Sequence, residues 1–210
     1  PNLDKPRIFA GVDPGFSGAI GVIYSDGRFG TVYDMPTDDG VGREKEIDVR
    51  RLCEIISEVG QMGVGPVFLE WPQTRPDESP ESSKRFGVGL GLLEGIFTAY
   101  QMPVTRVAPN KWKGRLGLKG KENNQLASRQ QSVEMAERHI PGMPDGTLRG
   151  VRGGLKDGRA EALLIAWAHL TETAEGLRSQ PEATREARLY LWGANRGGRG
   201  RKRPACRLGP

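Results

Sequence analysis

The spacing of the first three apolar segments is the feature that most constrains the fold of this 210-residue chain. The three segments are Arg7–Val12, Ala19–Tyr24 and Phe29–Met35, and the turns between them are too short to hold a crossover helix. Asp13-Pro14-Gly15 ends the first segment, and Ser25-Asp26-Gly27-Arg28 has the composition of a hairpin turn. The sequence therefore predicts an antiparallel three-strand meander.

After the meander, strand and helix patterns alternate. We expect short apolar strands at Pro66–Leu69 and Val104–Val107, with residues 41–46 as a polar linker. Apolar residues at helical spacing predict helices over Ile47–Met62, Lys84–Tyr100, Gln125–His139, about Asp157–Glu175 and Glu182–Leu191. This order predicts an α/β fold, in which a mixed sheet of the antiparallel meander plus parallel strands is flanked by helices.

The positive charge of the chain is concentrated at its end. Residues 195–210 hold six basic residues and no acid, whereas residues 1–194 hold 25 basic and 26 acidic residues. We therefore predict one folded domain over residues 1–194 and a basic, disordered tail over residues 195–210. Such a tail favours a polyanionic partner such as nucleic acid.

Hydropathy and cysteine content exclude two further classes of protein. The longest apolar stretch, Ala160–Leu170, is far too short to span a bilayer, so no membrane partner is expected. The two cysteines, Cys53 and Cys206, are too distant in sequence to suggest a disulfide framework or a zinc site. This cysteine usage fits a reducing compartment and predicts a cytoplasmic protein.

Four acidic residues stand at the ends of predicted elements. Asp13 ends the first strand and Glu70 ends the fourth, so both are expected at the edge of the sheet where strand carboxyl ends meet. Asp157 and Glu161 open the last long helix and, four residues apart, share one face. Converging carboxylates need cations, and oxygen ligands suit Mg²⁺ or Mn²⁺. Two such ions about 4 Å apart could activate a water molecule for phosphodiester hydrolysis.

Each acid also has a structural explanation. Asp13 could serve as an Asx residue in its turn, Glu70 could be a solvated loop acid, and Asp157 could cap its helix. Glu161 is the hardest to explain in this way, because an unpaired carboxylate within an apolar run is costly. The joint occurrence of the four favours a metal site.

Three segments carry a resemblance to a known family. Gly11–Gly15 followed by Gly18, then Phe68–Glu70, then residues 157–166 resemble, in this order, the acidic motifs of RuvC-like Holliday junction resolvases. Residues 107–121 are similar to the basic segment of that family. The resemblance covers residues 7–170 and leaves the tail outside.

The resemblance implies an RNase H-like fold, a homodimer and two divalent metal ions, Mg²⁺ or Mn²⁺, at each active site. It implies paired incision of four-way DNA junctions with 5′-phosphate ends, in recombination, repair or phage DNA processing. By motif, Asp13, Glu70 and Glu161 would be metal ligands, with Asp157 as a fourth. Many relatives place an acid or a histidine three residues before the last acid, where this chain has Gly158. That departure suggests a phage-borne or otherwise divergent branch.

Two basic segments are candidate DNA contacts. The first surrounds Trp112, which we expect in the core, and consists of Lys111, Lys113, Arg115, Lys119 and Lys121. Lysines on a glycine-rich backbone suit phosphates, although a solvated loop is the alternative. Within the family a lysine of this segment contacts the scissile phosphate, and Lys111 and Lys113 match that pattern best. The second segment could either track phosphates or balance the nearby acids, and it includes Arg152, Lys156 and Arg159.

The glycines in Gly87–Gly95 are unusual for a helix. Small residues allow another helix to approach closely, so this segment is a candidate dimer interface. Close packing of the same helix on its own sheet is the alternative.

Two other functions remain open from the sequence. One is a non-catalytic DNA-junction-binding protein of the same fold, although four retained carboxylates would bring it no advantage beside phosphates. The other is an actin- or sugar-kinase-like ATPase, whose hairpin entry also contains Asp-x-Gly. Those ATPases have a duplicated domain, and no duplication is visible here, so no nucleotide cofactor is expected.

Overall fold

The computed structural model describes residues 8–39, 45–73, 79–118 and 125–178. One compact unit spans Pro6–Glu172. The other, Pro1–Lys5 with Thr173–Pro210, contributes to the described residues only the last turns of the final helix. Lys119, Lys121, the helix expected at residues 182–191 and the domain boundary expected at residue 194 lie outside the described residues.

The central sheet has five strands, as the meander and the parallel strands together predict. Their order across the sheet is β3-β2-β1-β6-β7. The strands are β1 (Ile8–Asp13), β2 (Ala19–Tyr24), β3 (Phe29–Asp34), β6 (Val64–Glu70) and β7 (Val104–Val107). The pairs β1–β2 and β2–β3 are antiparallel, whereas β1–β6 and β6–β7 are parallel. The predicted mixed sheet is confirmed.

The parallel pairing of β1 with β6 positions the site. Val12 of β1 is in register with Leu69 of β6, so the acids that follow them, Asp13 and Glu70, end neighbouring strands at the same edge of the sheet. In β7, Val107 is in register with Glu70, which brings the start of the next segment to that edge as well.

Helices cover both faces of the sheet. They are α1 (Val49–Gln61), α2 (Pro80–Ala99), α3 (Pro109–Arg115), α4 (Gln125–His139) and α5 (Asp157–Arg178). Because side chains of a strand alternate between faces, Ala10 and Val12 join a core with α1 and α2, whereas Phe9 joins a core with α3, α4 and α5. The acidic edge therefore receives residues from the second group of helices.

Helix α5 lies in main-chain contact with the sheet. A Cβ atom added at Gly11 in β1 would overlap the carbonyl oxygen of Ala162 and would come within 2.6 Å of the amide nitrogen of Ala166. Gly21 in β2 faces the Leu163 amide nitrogen in the same way, at 2.7 Å. Only glycine permits this approach, and the approach fixes the height of α5 above the strands.

Three segments differ from the sequence-based expectation. The polar linker expected over residues 41–46 is wrong at its end, because β5 (Lys45–Ile47) pairs with β4 (Thr37–Asp39) in a small hairpin that polar composition does not predict. Helix α2 begins at Pro80, since the Ser79 side chain caps it and proline suits the first turn. Helix α3 was not expected, because its seven residues are too short for a periodic pattern. In the described part of the chain, no helix is long and apolar enough to cross a membrane.

Candidate active site

Three of the four predicted acids come together at the edge of the sheet. Asp13 ends β1, Glu70 ends β6, and Glu161 lies one turn inside α5. Glu70 is buried, and the carboxylates of Glu70 and Glu161 are close enough to Asp13 to repel its charge. The structure thus brings together side chains that are 57 and 91 residues apart in the sequence.

The protonation of Asp13 and Glu70 reflects this crowding. Burial, followed by repulsion from Glu70 and Glu161, raises the pKa of Asp13 from 3.8 to about 7, although the Gly15 amide donates a hydrogen bond to its Oδ1 at 3.2 Å. Burial also raises the pKa of Glu70, and repulsion from Glu161 adds to it. Both groups are therefore more costly to charge than ordinary carboxyls.

The raised pKa of Asp13 predicts a pH dependence of stability. Since its pKa is higher in the folded than in the unfolded chain, its contribution is fully favourable only below about pH 4, and stability is lost as the pH rises through about 7. In EDTA at pH 8, Asp13→Asn should therefore raise the free energy of unfolding by on the order of 1–3 kcal/mol, and this gain should vanish towards pH 4. Urea denaturation at both pH values measures it.

Asp26 provides the control for that prediction. Its pKa is lowered, because the backbone amide and the side chain of Arg28 donate hydrogen bonds to it. Asp26→Asn should therefore give no stabilisation at pH 8. Equal effects of the two substitutions would show that the burial of Asp13 does not govern its ionisation.

Trp112 holds the Glu70 carboxylate in place. Its Nε1 donates a hydrogen bond of 2.8 Å to Glu70 Oε1, and its ring is fully buried in the core beneath α3. The sequence-based expectation of a core residue is met, but the indole also orients a carboxylate. Sequence reasoning missed this second role, because a tryptophan between two lysines gives no signal of where its N–H points.

Lys113 and Ser132 hold Glu161. The Lys113 ammonium donates to both carboxylate oxygens of Glu161, at 3.1 and 3.0 Å. It also opposes the rise in the pKa of Asp13 and of Glu70, although burial and repulsion keep both pKa values raised. The hydroxyl of Ser132, a buried residue of α4, donates to Glu161 Oε1 at 3.2 Å. The ammonium is thus a cationic neighbour shared by all three carboxylates. Ser132 was missed because a single serine in a polar helix has no distinguishing context.

The donors fit a divalent cation in type, although they are not arranged as a closed cage. Asp13, Glu70 and Glu161 offer the hard oxygen ligands that Mg²⁺ and Mn²⁺ prefer. As they stand, no group of three acidic, histidine or cysteine side chains among the described residues is positioned to hold a metal ion. Lys113 engages both oxygens of Glu161, so an ion held by the three acids would share this carboxylate with the lysine.

Asp157 is paired with a basic residue of α4. Arg129 of α4 donates a hydrogen bond of 2.7 Å to its Oδ1, and Asp157 is the first residue of α5. Its predicted role as a fourth ligand therefore has no support from contacts in the structure. Arg129 is a further basic residue beside the site that sequence reasoning missed, because it belongs to a helix with no charge run.

The absence of an acid at position 158 has a steric cause. A Cβ atom added at Gly158 would overlap the carbonyl oxygen of Ser17 and would lie 2.8 Å from the Cα of Gly18. The first turn of α5 therefore presses against the turn that follows Asp13. No side chain at position 158 could reach the carboxylates without displacing that turn.

The predicted DNA contacts divide into exposed and engaged residues. Lys111 and Arg152 are exposed. Arg115 donates to the carbonyl oxygen of Ala168 at 3.3 Å. Lys156 and Arg159 both donate to the carboxylate of Asp34 at the end of β3, Lys156 at 3.1 Å and Arg159 at 2.6 and 2.8 Å. The second basic segment could either follow phosphates or balance acids, and Lys156 and Arg159 do the latter, since both pair with Asp34.

The sheet defines the fold. Five strands in the order β3-β2-β1-β6-β7, with helices on both faces, form an RNase H-like fold. No protein-family model and no curated protein matches the chain. Solved structures do.

Two structures of RuvC from Thermus thermophilus share this fold. One has a TM-score of 0.53 and 21% identity and covers 80% of this chain and 96% of its own. The other, described as RuvC in complex with Holliday junction substrate, has a TM-score of 0.52 and 21% identity and covers 81% and 96%. The yeast mitochondrial Holliday junction resolvase Ydc2 is more distant, with a TM-score of 0.45 and 11% identity over 79% of this chain and 78% of its own. The two RuvC structures confirm the predicted resemblance at the level of the fold.

Proposed function

We propose that this protein is a metal-dependent, structure-selective endonuclease that cuts four-way DNA junctions by paired hydrolysis of phosphodiester bonds. The observation that carries the proposal is the convergence of Asp13, Glu70 and Glu161 around one lysine at the edge of an RNase H-like sheet. The fold shared with RuvC from Thermus thermophilus, including its complex with a Holliday junction, supports the choice of substrate.

The three carboxylates would hold Mg²⁺ or Mn²⁺ ions. A divalent ion bound there would polarise a phosphoryl oxygen and lower the pKa of a water molecule. Trp112 keeps Glu70 in a fixed orientation through its indole N–H, and Ser132 does the same for Glu161 through its hydroxyl. Fixed ligands reduce the reorganisation that binding an ion would otherwise cost.

Lys113 is the residue we assign to the scissile phosphate. Its ammonium donates to Glu161 and lies close enough to Asp13 and Glu70 to oppose the rise in their pKa values. It is therefore a positive charge beside all three acids. From that position, the ammonium would stabilise the negative charge that develops on the phosphate in the transition state. Exposed Lys111, on the same short helix, would contact a neighbouring phosphate.

Cleavage of a synthetic mobile four-way junction tests the proposal. In Mg²⁺ or Mn²⁺, the protein should make paired incisions that leave 5′-phosphate ends, and it should leave a linear duplex of the same sequence intact. Binding of the junction without cutting in either metal would favour the non-catalytic alternative.

We further propose that the protein acts as a homodimer joined through α2. Gly87, Gly91 and Gly95 form a stripe on this helix, and among the described residues nothing lies within 4 Å of a Cβ atom added at any of them. Gly89, on the other side, is buried against Ile47. Packing on the protein's own core therefore explains Gly89 but not the outward stripe. A four-way junction has approximate two-fold symmetry, which a symmetric dimer matches.

Sedimentation in the absence of DNA tests the dimer. The parent should sediment at twice the 23.0 kDa of one chain at micromolar concentration. Gly91→Lys should shift it to the monomer, because a long charged side chain prevents close approach of two helices. Leu126→Lys, at an exposed position of α4, is the matched control and should leave the dimer intact. A monomeric parent would contradict the proposal.

A further inference from the structure

A short hairpin precedes α5. We call residues 149–155 the finger. Its two sides meet in a bridge between Arg149 and Leu155, and the Gly150 amide donates to the Gly154 carbonyl oxygen at 2.7 Å. At the tip, the Gly153 amide donates to the Gly150 carbonyl oxygen at 2.8 Å, and Gly153 has φ +78°, a conformation that favours glycine. Hydrogen bonds within the backbone therefore define the shape of the finger.

The tip of the finger is apolar and fully exposed. Val151 has 109% of its reference surface exposed, whereas the other exposed large hydrophobic residues of the described chain reach at most 59%. A single exposed apolar side chain is ordinary on a protein surface. This one is notable because it lies at the tip of a hydrogen-bonded turn and because basic residues flank it.

The charge of the finger is entirely positive. It contains Arg149 and Arg152 and no acid, and Lys156 follows it directly. Arg149 lies 3.5 Å from Glu137, and Lys156 donates to Asp34. Arg152, next to the apolar tip, makes no ion pair with any described residue. The free charge of the finger is therefore at its end, beside Val151.

Arg159 anchors the segment that precedes the finger beside the start of α5. Arg159 donates to the Thr147 carbonyl oxygen at 2.8 Å and to Asp34, so it ties the segment before the finger to the start of α5 and the end of β3. Glu161 lies five residues beyond Lys156. With about 3.3 Å per extended residue and 1.5 Å per helical residue, the tip lies within roughly 25 Å of that carboxylate. That distance spans about seven base steps of a DNA strand at 3.4 Å each.

We propose that the finger is a DNA contact that selects branched over linear DNA, with Arg152 on a backbone phosphate and Val151 against an unstacked base beside the branch point. This inference rests on the proposed function. Inside a duplex, base faces are covered by their neighbours, so an apolar tip has nothing to bury against. At a branch point a base face is accessible, and apolar side chains inserted at base steps are a known way to exploit it. Arg152 serves either DNA equally, because phosphates are present in both.

Two substitutions separate these roles, with Val49→Ala, at an exposed valine of α1, as the matched control. Dissociation constants for a four-way junction and for its linear duplex are measured in EDTA over a range of salt, with 2-aminopurine placed beside the branch. Val151→Ala should lower the ratio of junction to duplex affinity about tenfold, since it removes two methyl groups that would be buried against the base in the junction complex. It should also reduce the fluorescence rise of 2-aminopurine. Arg152→Ala should weaken both DNAs alike and reduce the salt slope by about 1.

The outcomes distinguish this inference from the function on which it rests. If the parent cuts junctions but Val151→Ala keeps the affinity ratio and fluorescence of Val49→Ala, the finger proposal is overturned and the nuclease proposal stands. If Val151→Ala changes sedimentation of the free protein and not DNA binding, the tip is a protein contact and the proposal is again overturned. If the parent neither binds nor cuts junctions, both proposals fail.

Discussion

Replacing Asp13 with asparagine should abolish junction cleavage while leaving junction binding intact. The carboxylate at this position ends β1 within reach of Glu70 and Glu161, and the amide cannot supply a charged ligand to a divalent ion. Loss of several kcal/mol of transition-state stabilisation corresponds to a fall of about a thousandfold or more in the single-turnover rate. Affinity for the junction should not weaken, because phosphate contacts supply most of it and the substitution removes a negative charge.

Glu70→Gln tests the same assignment on a second strand. It should behave as Asp13→Asn does, and the Trp112 indole can still donate to the side-chain carbonyl oxygen, so the fold should be preserved. Asp38→Asn, at an exposed position of the β4–β5 hairpin, is the control and should cut at the parent rate. If Asp13→Asn and Glu70→Gln cut as well as the parent, the assignment of these acids as metal ligands is wrong.

Gly158→Asp, which places an acid three residues before Glu161, should impair the protein rather than improve it. The new Cβ atom would overlap the Ser17 carbonyl oxygen and press on Gly18, both of which are backbone and cannot rotate away. We expect a loss of about 3 kcal/mol in the free energy of unfolding, at the upper end of overpacking effects. Cleavage should fall as well, because the displaced turn follows directly on Asp13. Urea denaturation and junction cleavage measure the two effects.

Two further substitutions at glycines show whether the loss comes from the Cβ atom or from the carboxylate. Gly158→Ala should cost nearly as much stability as Gly158→Asp, since the clash arises at Cβ and not at the carboxylate. Gly114→Ala, in α3, has open space around its Cβ and should instead stabilise the protein by about 0.5–1 kcal/mol through helix propensity. A stable and more active Gly158→Asp variant would show that α5 can move away from the turn.

The sequence was sufficient to predict the sheet and the trio of acids. Short turns between apolar segments leave little choice but a meander, and the parallel strand that ends in Glu70 must meet the end of β1 at one edge. Glu161 could be predicted because a carboxylate in an apolar run of α5 needs a partner. These conclusions rest on local spacing and on the direction of strands, both of which are visible in one sequence.

What the sequence could not provide was the partner of each polar side chain. Asp157 is four residues from Glu161 and shares its face of the helix, yet Arg129 from another helix engages it. Lys156 and Arg159 lie in a basic segment typical of phosphate binding, yet both donate to Asp34, more than 120 residues away. Such pairings depend on how α4, α5 and β3 pack together. The spacing of apolar residues along the sequence does not predict that packing.

The main-chain contact between α5 and the sheet constrains the glycines beneath the helix more strongly than the loops around the site. Gly11 and Gly21 approach Ala162, Leu163 and Ala166 through backbone atoms, so the sheet itself sets the height of α5 and with it the position of Glu161. Loops around the site can therefore lengthen, shorten or change charge across generations while the reacting groups stay in place. A selection for altered activity would accumulate its changes in those loops, and the glycines beneath the helix would remain invariant.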